Sequence, residues 1–249
     1  MTKNILLILF LVLTISGNNY SFAKEYVPYD YKKSFVKQEN DEYQVQLRHI
    51  EKSVHNLWKH ALVYPVRFDT KKDEEQAKKD VLVLYRVLEE LRKNNLDNYG
   101  LNLLQARVTR MAHNFDYPFM AEKSNELYAK VLKQNNEMDI RYEYGIFLLN
   151  IGWIDKAEKE FNTVLKSGNK HALFSLGTLY MQKDKEQAKK YFNEYLQYNP
   201  NHQESKNILN AIENNRVTNC TIPLNGKGQE NCNPEKIQPS KVRKQILEN

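Results

Sequence analysis

Apolar side chains recur every three to four positions from Gln38 to Asn215, the period of a helix with one buried face. A first stripe runs through Tyr43, Leu47, Ile50, Val54, Leu57 and Ala61 and stops at Pro65. Thr70 and Asp73 have the spacing of a capping box, in which each end of the pair satisfies a free backbone N–H. They precede a second stripe of Ala77, Val81, Leu84, Leu88 and Leu91. Leu101, Leu104, Val108, Met111, Ala112 and Phe115 form a third. Pro118 suits the first turn of a fourth, through Ala121, Leu127, Tyr128 and Val131. Helices follow near 138–151, 153–167, 170–182, 184–198 and 202–214. They are punctuated by Gly152, Gly168, Asp184 and Asn199-Pro200, residues that stop, cap or turn a helix. Strand alternation is almost absent, so the pattern predicts an all-α chain of short antiparallel helical pairs.

The pattern also repeats. YEYGIFLLNIGWIDKAEKEFNTVL (142–165) aligns with LFSLGTLYMQKDKEQAKKYFNEYL (173–196). Gly145 falls on Gly177, Leu148 on Tyr180, Ala157 on Ala188, Phe161 on Phe192 and Val164 on Tyr195. The offset is 32 residues at the glycines and 31 at the alanines, so the second copy has a shorter turn. An earlier copy fits at an offset of 33, with Ala112 in the glycine's place, Phe115 in that of Leu148 and Ser124 in the alanine's. Tyr128 and Val131 then match Phe161 and Val164. Glycine inside a helix costs about 1 kcal/mol relative to alanine. Two glycines on buried stripes therefore predict close helix contact, with Gly145 and Gly177 facing Ala157 and Ala188 and the two phenylalanines filling the space beside them.

This arrangement resembles the tetratricopeptide repeat, which carries a small residue in its first helix, then a small residue and an aromatic four positions on in its second. Gly177, Tyr180, Ala188, Phe192 and the closing Pro200 match that pattern, while the middle copy has Asn169 where the proline would stand. The resemblance covers roughly 105–203. It implies a right-handed solenoid with repeats at about 105–137, 138–169 and 170–203 and a capping helix reaching 215. The segment 41–104 would be a degenerate helical pair, whose EQAKKDV (75–81) echoes EQAKKYF (186–192). In this family the first helices line a concave groove. Carried over, the groove residues are Thr109, His113, Asp116 and Tyr117, then Tyr142, Ile146, Leu149 and Asn150, then Phe174, Thr178 and Met181. The lysine and asparagine set with which some members hold a terminal carboxylate is absent. Tyr142, Ile146, Leu149, Phe174 and Met181 instead form an apolar and aromatic strip suited to a helix or an extended apolar segment of another protein. The chain's own N-terminal helices or a second copy of the chain are the alternative occupants.

The ends change the picture more than the bulk composition does. Lys3, the apolar run Ile5 to Ile15 and Ser21-Phe22-Ala23 together read as a secretory signal peptide over 1–23. The run is shorter than the roughly 20 residues a membrane-spanning helix needs, so no stable anchor is expected after cleavage. Residues 24–40 read as an extended arm, and 216–249 as an irregular, mildly basic tail. An exported chain permits a disulfide, and Cys220 and Cys232 would close a small loop there. Asn219-Cys220-Thr221 is also a glycosylation acceptor pattern in a eukaryotic secretory route. The net charge of +6 is spread thinly, unlike the concentrated basic face of a nucleic-acid-binding protein.

Catalytic patterns are scarce: no GxSxG, Walker loop, GxGxxG or HExxH occurs. His49, His55 and His60 lie six and five residues apart, which does not align them as a pair four apart would be. His113 and Asp116 would make an acid/base pair, but Asp116 just ahead of Pro118 reads better as a helix N-cap. Glu89 and Glu90 are adjacent, point apart and sit among Arg86, Arg92 and Lys93, as surface ion pairs do. No cofactor or metal is expected. The sequence thus reads as an exported, non-catalytic scaffold or adaptor. A self-associating envelope protein is the second reading, and a metal-dependent enzyme using the N-terminal histidines the third.

Overall fold

The computed structural model describes residues 25–93, 98–181 and 183–214. The expected signal peptide, the basic tail, Cys220 and Cys232 lie outside the described residues. A short arm leads through a 3-10 turn, Tyr31–Ser34, into an antiparallel two-stranded hairpin, β1 (Phe35–Lys37) and β2 (Tyr43–Val45). Nine α-helices follow among the described residues: α1 Leu47–Ala61, α2 Lys71–Lys93, α3 Tyr99–Asn114, α4 Met120–Gln134, α5 Met138–Asn150, α6 Ile154–Lys166, α7 His171–Tyr180, α8 Lys185–Tyr198 and α9 Gln203–Glu213. They pack as sequential pairs, α3 on α4, α5 on α6 and α7 on α8, with α9 laid against α8.

Local chemistry accounts for the helix ends. The Thr70 hydroxyl accepts the Asp73 N–H at 3.1 Å and donates to its carboxylate at 2.8 Å, opening α2. Asn98 opens α3 by accepting the Leu101 N–H, and Asp184 opens α8 by accepting the N–H groups of Glu186 and Gln187. Gly152 ends α5 with φ +78°. Its N–H donates to the Leu149 carbonyl and that of Trp153 to Leu148, the paired bonds that close a helix through a left-handed residue. Asp116 performs this task for α3, with φ +69° and the matching bonds Asp116 N–H to His113 and Tyr117 N–H to Ala112. Asp116 therefore terminates α3 and does not cap α4. The residue at the N-cap of α4 is Phe119, left-handed and making no side-chain cap bond.

The glycines hold their place for a more direct reason than the one expected. A Cβ on Gly145 would stand 2.7 Å from Phe161 Cε1, and one on Gly177 would stand 2.7 Å from Phe192 Cε1. Each glycine is a notch that receives the ring itself, and Ala157 and Ala188 are buried nearby in the same hairpins. Both phenylalanines are fully buried. Leu148 is buried in the core of the α5–α6 pair, and Tyr180 is held by a 2.7 Å hydrogen bond to Glu158.

The first copy has a different register. Asp116 and Gly152 occupy the same turn, so α3 aligns with α5 at an offset of 36, three more than expected. Thr109, fully buried, then stands where Gly145 does, and Ala112 where Leu148 does. Val131 is buried in the α4 core as Val164 is in α6. Ala112 and Phe115 face the N-terminal core, with the Phe115 ring 6.0 Å from that of Phe68. Tyr128 meets the following helix, stacking on Tyr144 and Phe147. The connection between α3 and α4 has five residues, 115–119, against three, 151–153, between α5 and α6, and takes up two residues of the difference.

Two further expectations differ from the structure. Tyr43, expected on the first helical stripe, lies in β2 and is 64% exposed. The expected extended arm folds back onto α1 and α2 through buried Tyr26 and Tyr29. Both tyrosines reach Asp80, itself only 3% exposed. Its carboxylate accepts the Tyr26 hydroxyl at 2.7 Å, the Tyr29 N–H at 2.8 Å and the Gln76 amide at 2.8 Å. Burial, reinforced by the bond to Asp80, pushes the Tyr26 phenol far above its ordinary range. At the other end α9 buries Ser205, Ile208, Leu209 and Ile212, as its stripe predicts.

Candidate partner-binding face

The first helices of successive pairs lie side by side, tied by hydrogen bonds between residues 33 to 36 positions apart. Arg107 on α3 grips the Glu143 carboxylate on α5 through Nε at 3.0 and 3.2 Å and Nη2 at 2.7 Å. Arg110 Nη1 donates to the Glu143 carbonyl at 3.3 Å. On α5, the Tyr142 hydroxyl meets Ser175 Oγ of α7 at 2.9 Å. From α1, the Trp58 ring lies 5.3 Å from the guanidinium carbons of both Arg107 and Arg110. Phe147 takes the Arg110 guanidinium at 5.8 Å.

The electrostatics follow from this packing. Burial pulls the Arg107 guanidinium down, but its bonds and charge contact with Glu143 outweigh that and leave it raised. Tyr128, fully buried, donates to Glu143 Oε1 at 2.5 Å. Burial, followed by the Glu143 charge, holds its phenol well above the ordinary value. Glu143 thus gathers donors from two helices. Arg107, Arg110 and Glu143 were not singled out from sequence. The available signal was Arg107-x-x-Arg110 in α3, where two cations three apart share a flank of a largely buried helix.

The expected groove residues divide into surface and core. Thr109 is fully buried, with its hydroxyl bonded to the Gln105 carbonyl, and Leu149 is buried at 5%. Neither is open to a partner in this structure. Phe174 packs against Phe192, Tyr195 and His202, and Met181 against the α9 cluster, so the C-terminal end of the strip is largely covered by the chain's own last helices. Tyr117 is half-buried and donates its hydroxyl to the Lys78 carbonyl. His113, Tyr142, Ile146, Asn150 and Thr178 keep partial exposure, and Asp116 is exposed in its turn.

The three N-terminal histidines do not converge. His49 contacts the Asp30 carbonyl and stacks on Tyr29, His55 is exposed, and His60 is buried against Phe68 and Tyr26. Among the described residues no three of His, Cys, Asp and Glu come together as a metal-holding group. No described helix is long and apolar enough to cross a membrane. Compared with known proteins, the chain matches no family model, no curated protein and no solved structure.

Proposed function

We propose that this protein is an exported, non-catalytic scaffold of tetratricopeptide-like build that holds another protein on the face of its first helices. The observation that carries the reading is the lateral tying of α3 to α5 and of α5 to α7 through Arg107–Glu143 and Tyr142–Ser175. Helices tied in series present one continuous face, and extended faces of stacked helical pairs serve as binding surfaces. On α5 that face offers Tyr142, Ile146 and Asn150. Export rests on the leader-like pattern of residues 1–23.

A pull-down from an envelope or secreted fraction tests this with three baits: the native protein, Tyr142→Ala/Ile146→Ala and the outer-surface control Lys190→Glu. Circular dichroism must first show that all three are folded. A protein retained by the native bait and the control but lost from the face variant supports the scaffold. Identical recoveries from all three remove this face as the binding site.

Self-association is the second reading, favoured by one observation. Among the described residues, five of the seven exposed large hydrophobics, Val27, Tyr31, Val36, Tyr43 and Leu47, lie in the N-terminal arm and hairpin or at the start of α1. Exposed apolar residues gathered in one region mark interaction surfaces. Sedimentation equilibrium of the native chain and of Val36→Lys/Tyr43→Lys separates the two readings: a mass that falls to the monomer in the variant selects self-association.

A further inference from the structure

We propose that the cluster of Trp58, Arg107, Arg110 and Glu143 is an oxyanion site that takes one small carboxylate or phosphate group. Charge inside the cluster does not balance. Glu143 is committed to Arg107 and to the Tyr128 hydroxyl. Arg110 is 1% exposed, yet among the described residues it has no carboxylate at ion-pair distance and one hydrogen bond, the long one to the Glu143 carbonyl. Its Nη2 is buried without any acceptor. Two aromatic faces, Trp58 and Phe147, are its other contacts. A buried cation is ordinarily paired with an anion as well as hydrogen-bonded, and ring faces alone replace little of the lost hydration.

Arg107 is the more exposed of the two arginines. Its side chain keeps 30% of its exposure and that of Glu143 15%. Nε and Nη2 of Arg107 serve Glu143, so Nη1 remains for a ligand, together with the orphaned Nη2 of Arg110. Guanidinium groups bind carboxylate and phosphate oxygens with the same fork of donors, so both probes belong to one chemistry. The Glu143 carboxylate repels an incoming anion and keeps the affinity modest. This site is independent of the scaffold reading, because it needs no protein partner.

The chain contains two tryptophans, Trp58 and Trp153. Trp153→Phe leaves Trp58 as a reporter lying against both arginines. Its emission is followed while sodium acetate or sodium phosphate replaces sodium chloride at constant ionic strength. The expected result is a saturable change with at least one of the two anions, accompanied by a rise in Tm. Acetate alone assigns a carboxylate, phosphate alone a phosphate, and both a general oxyanion site. Arg107→Gln should weaken the response at least fivefold, while Arg107→Lys, which keeps the charge, retains part of it. A Trp58 response no different from chloride overturns the proposal, and so does an unchanged response in folded Arg107→Gln.

Discussion

The two halves of the molecule solve the packing problem by different means. From α5 to α8 the pairs close by shape, each first helix carrying a glycine notch and each second helix a phenylalanine that enters it. The N-terminal half adds specific buried polar bonds to its apolar core. Asp80 gathers three donors, His60 Nδ1 bonds the Arg67 carbonyl, and Asn114 donates to the Ala61 carbonyl at the end of α1. Shape closure can be copied from one pair to the next because it needs only a residue spacing. Polar closure is tied to particular partners, here 51 and 54 residues apart for Tyr29 and Tyr26. That difference explains why repetition is plain in one half and lost in the other.

The largest effect should come from emptying a notch. Phe192→Ala removes a fully buried ring and is expected to cost about 3–5 kcal/mol in chemical denaturation. Asp80→Ala should cost about 2–3 kcal/mol through its lost charge-assisted bonds, with a different distribution. Hydrogen exchange and limited proteolysis should then show residues 25–46 released while α5–α8 stay protected. Uniform loss of protection in both variants would erase the distinction between the halves.

The turn residues sharpen the comparison at smaller magnitude. Gly152→Ala places a side chain at φ +78° and should destabilise by about 1–2 kcal/mol. Asp116→Gly relieves the same conformation at φ +69°, a backbone gain of about 0.5 kcal/mol because glycine is the preferred residue there. Urea midpoints measured side by side check both signs.

Alkaline titration is the subtlest probe. Tyr99 is pushed up to about 12 by burial and then by its bond to Glu137. Tyr144 reaches about 12 through burial and the Glu160 charge, and Tyr180 about 12 chiefly through its bond to Glu158. The unfolded chain sheds these protons near 10.0 while the folded chain retains them. Their contribution is therefore complete below pH 10 and is lost as pH rises from about 10 to about 12. Tyrosinate absorbance should climb late in the folded protein, with Tm falling across the same window. Titration of all tyrosines near their ordinary value would contradict the bonds described.

Much of the fold was legible because helix signals are local. Thr70, Asp184 and Gly152 act at their own positions, and the stripes of α5 to α9 fall where the periodicity places them. Three-residue strands were not legible, since Tyr43 and Leu47 also fit a helical spacing. Asp116 misled for a physical reason: aspartate is common both at N-caps and in the left-handed turn after a helix. The first repeat slipped because a small residue at Ala112 satisfies the pattern, whereas the cap geometry places Thr109 opposite Gly145. The arginine cluster was the least visible part. Its partners come from α1, α3, α4 and α5, and no sequence spacing announces that Trp58 and Glu143 meet the same two arginines.

The glycine notch is the central claim, and Gly177→Ala tests it most directly. Alanine is favoured over glycine inside a helix by about 1 kcal/mol, so propensity alone predicts a more stable protein. Its Cβ would meet three carbons of the buried Phe192 ring at 2.7 to 2.9 Å, and overpacking of this kind costs about 1–3 kcal/mol. Thermal unfolding of the native protein, Gly177→Ala, Phe192→Leu and the double variant separates these contributions. The expected result is a Tm lowered by about 2–4 °C in Gly177→Ala, with the same change neutral or stabilising once Phe192 is leucine. A Tm raised by Gly177→Ala in the otherwise native protein would contradict the notch.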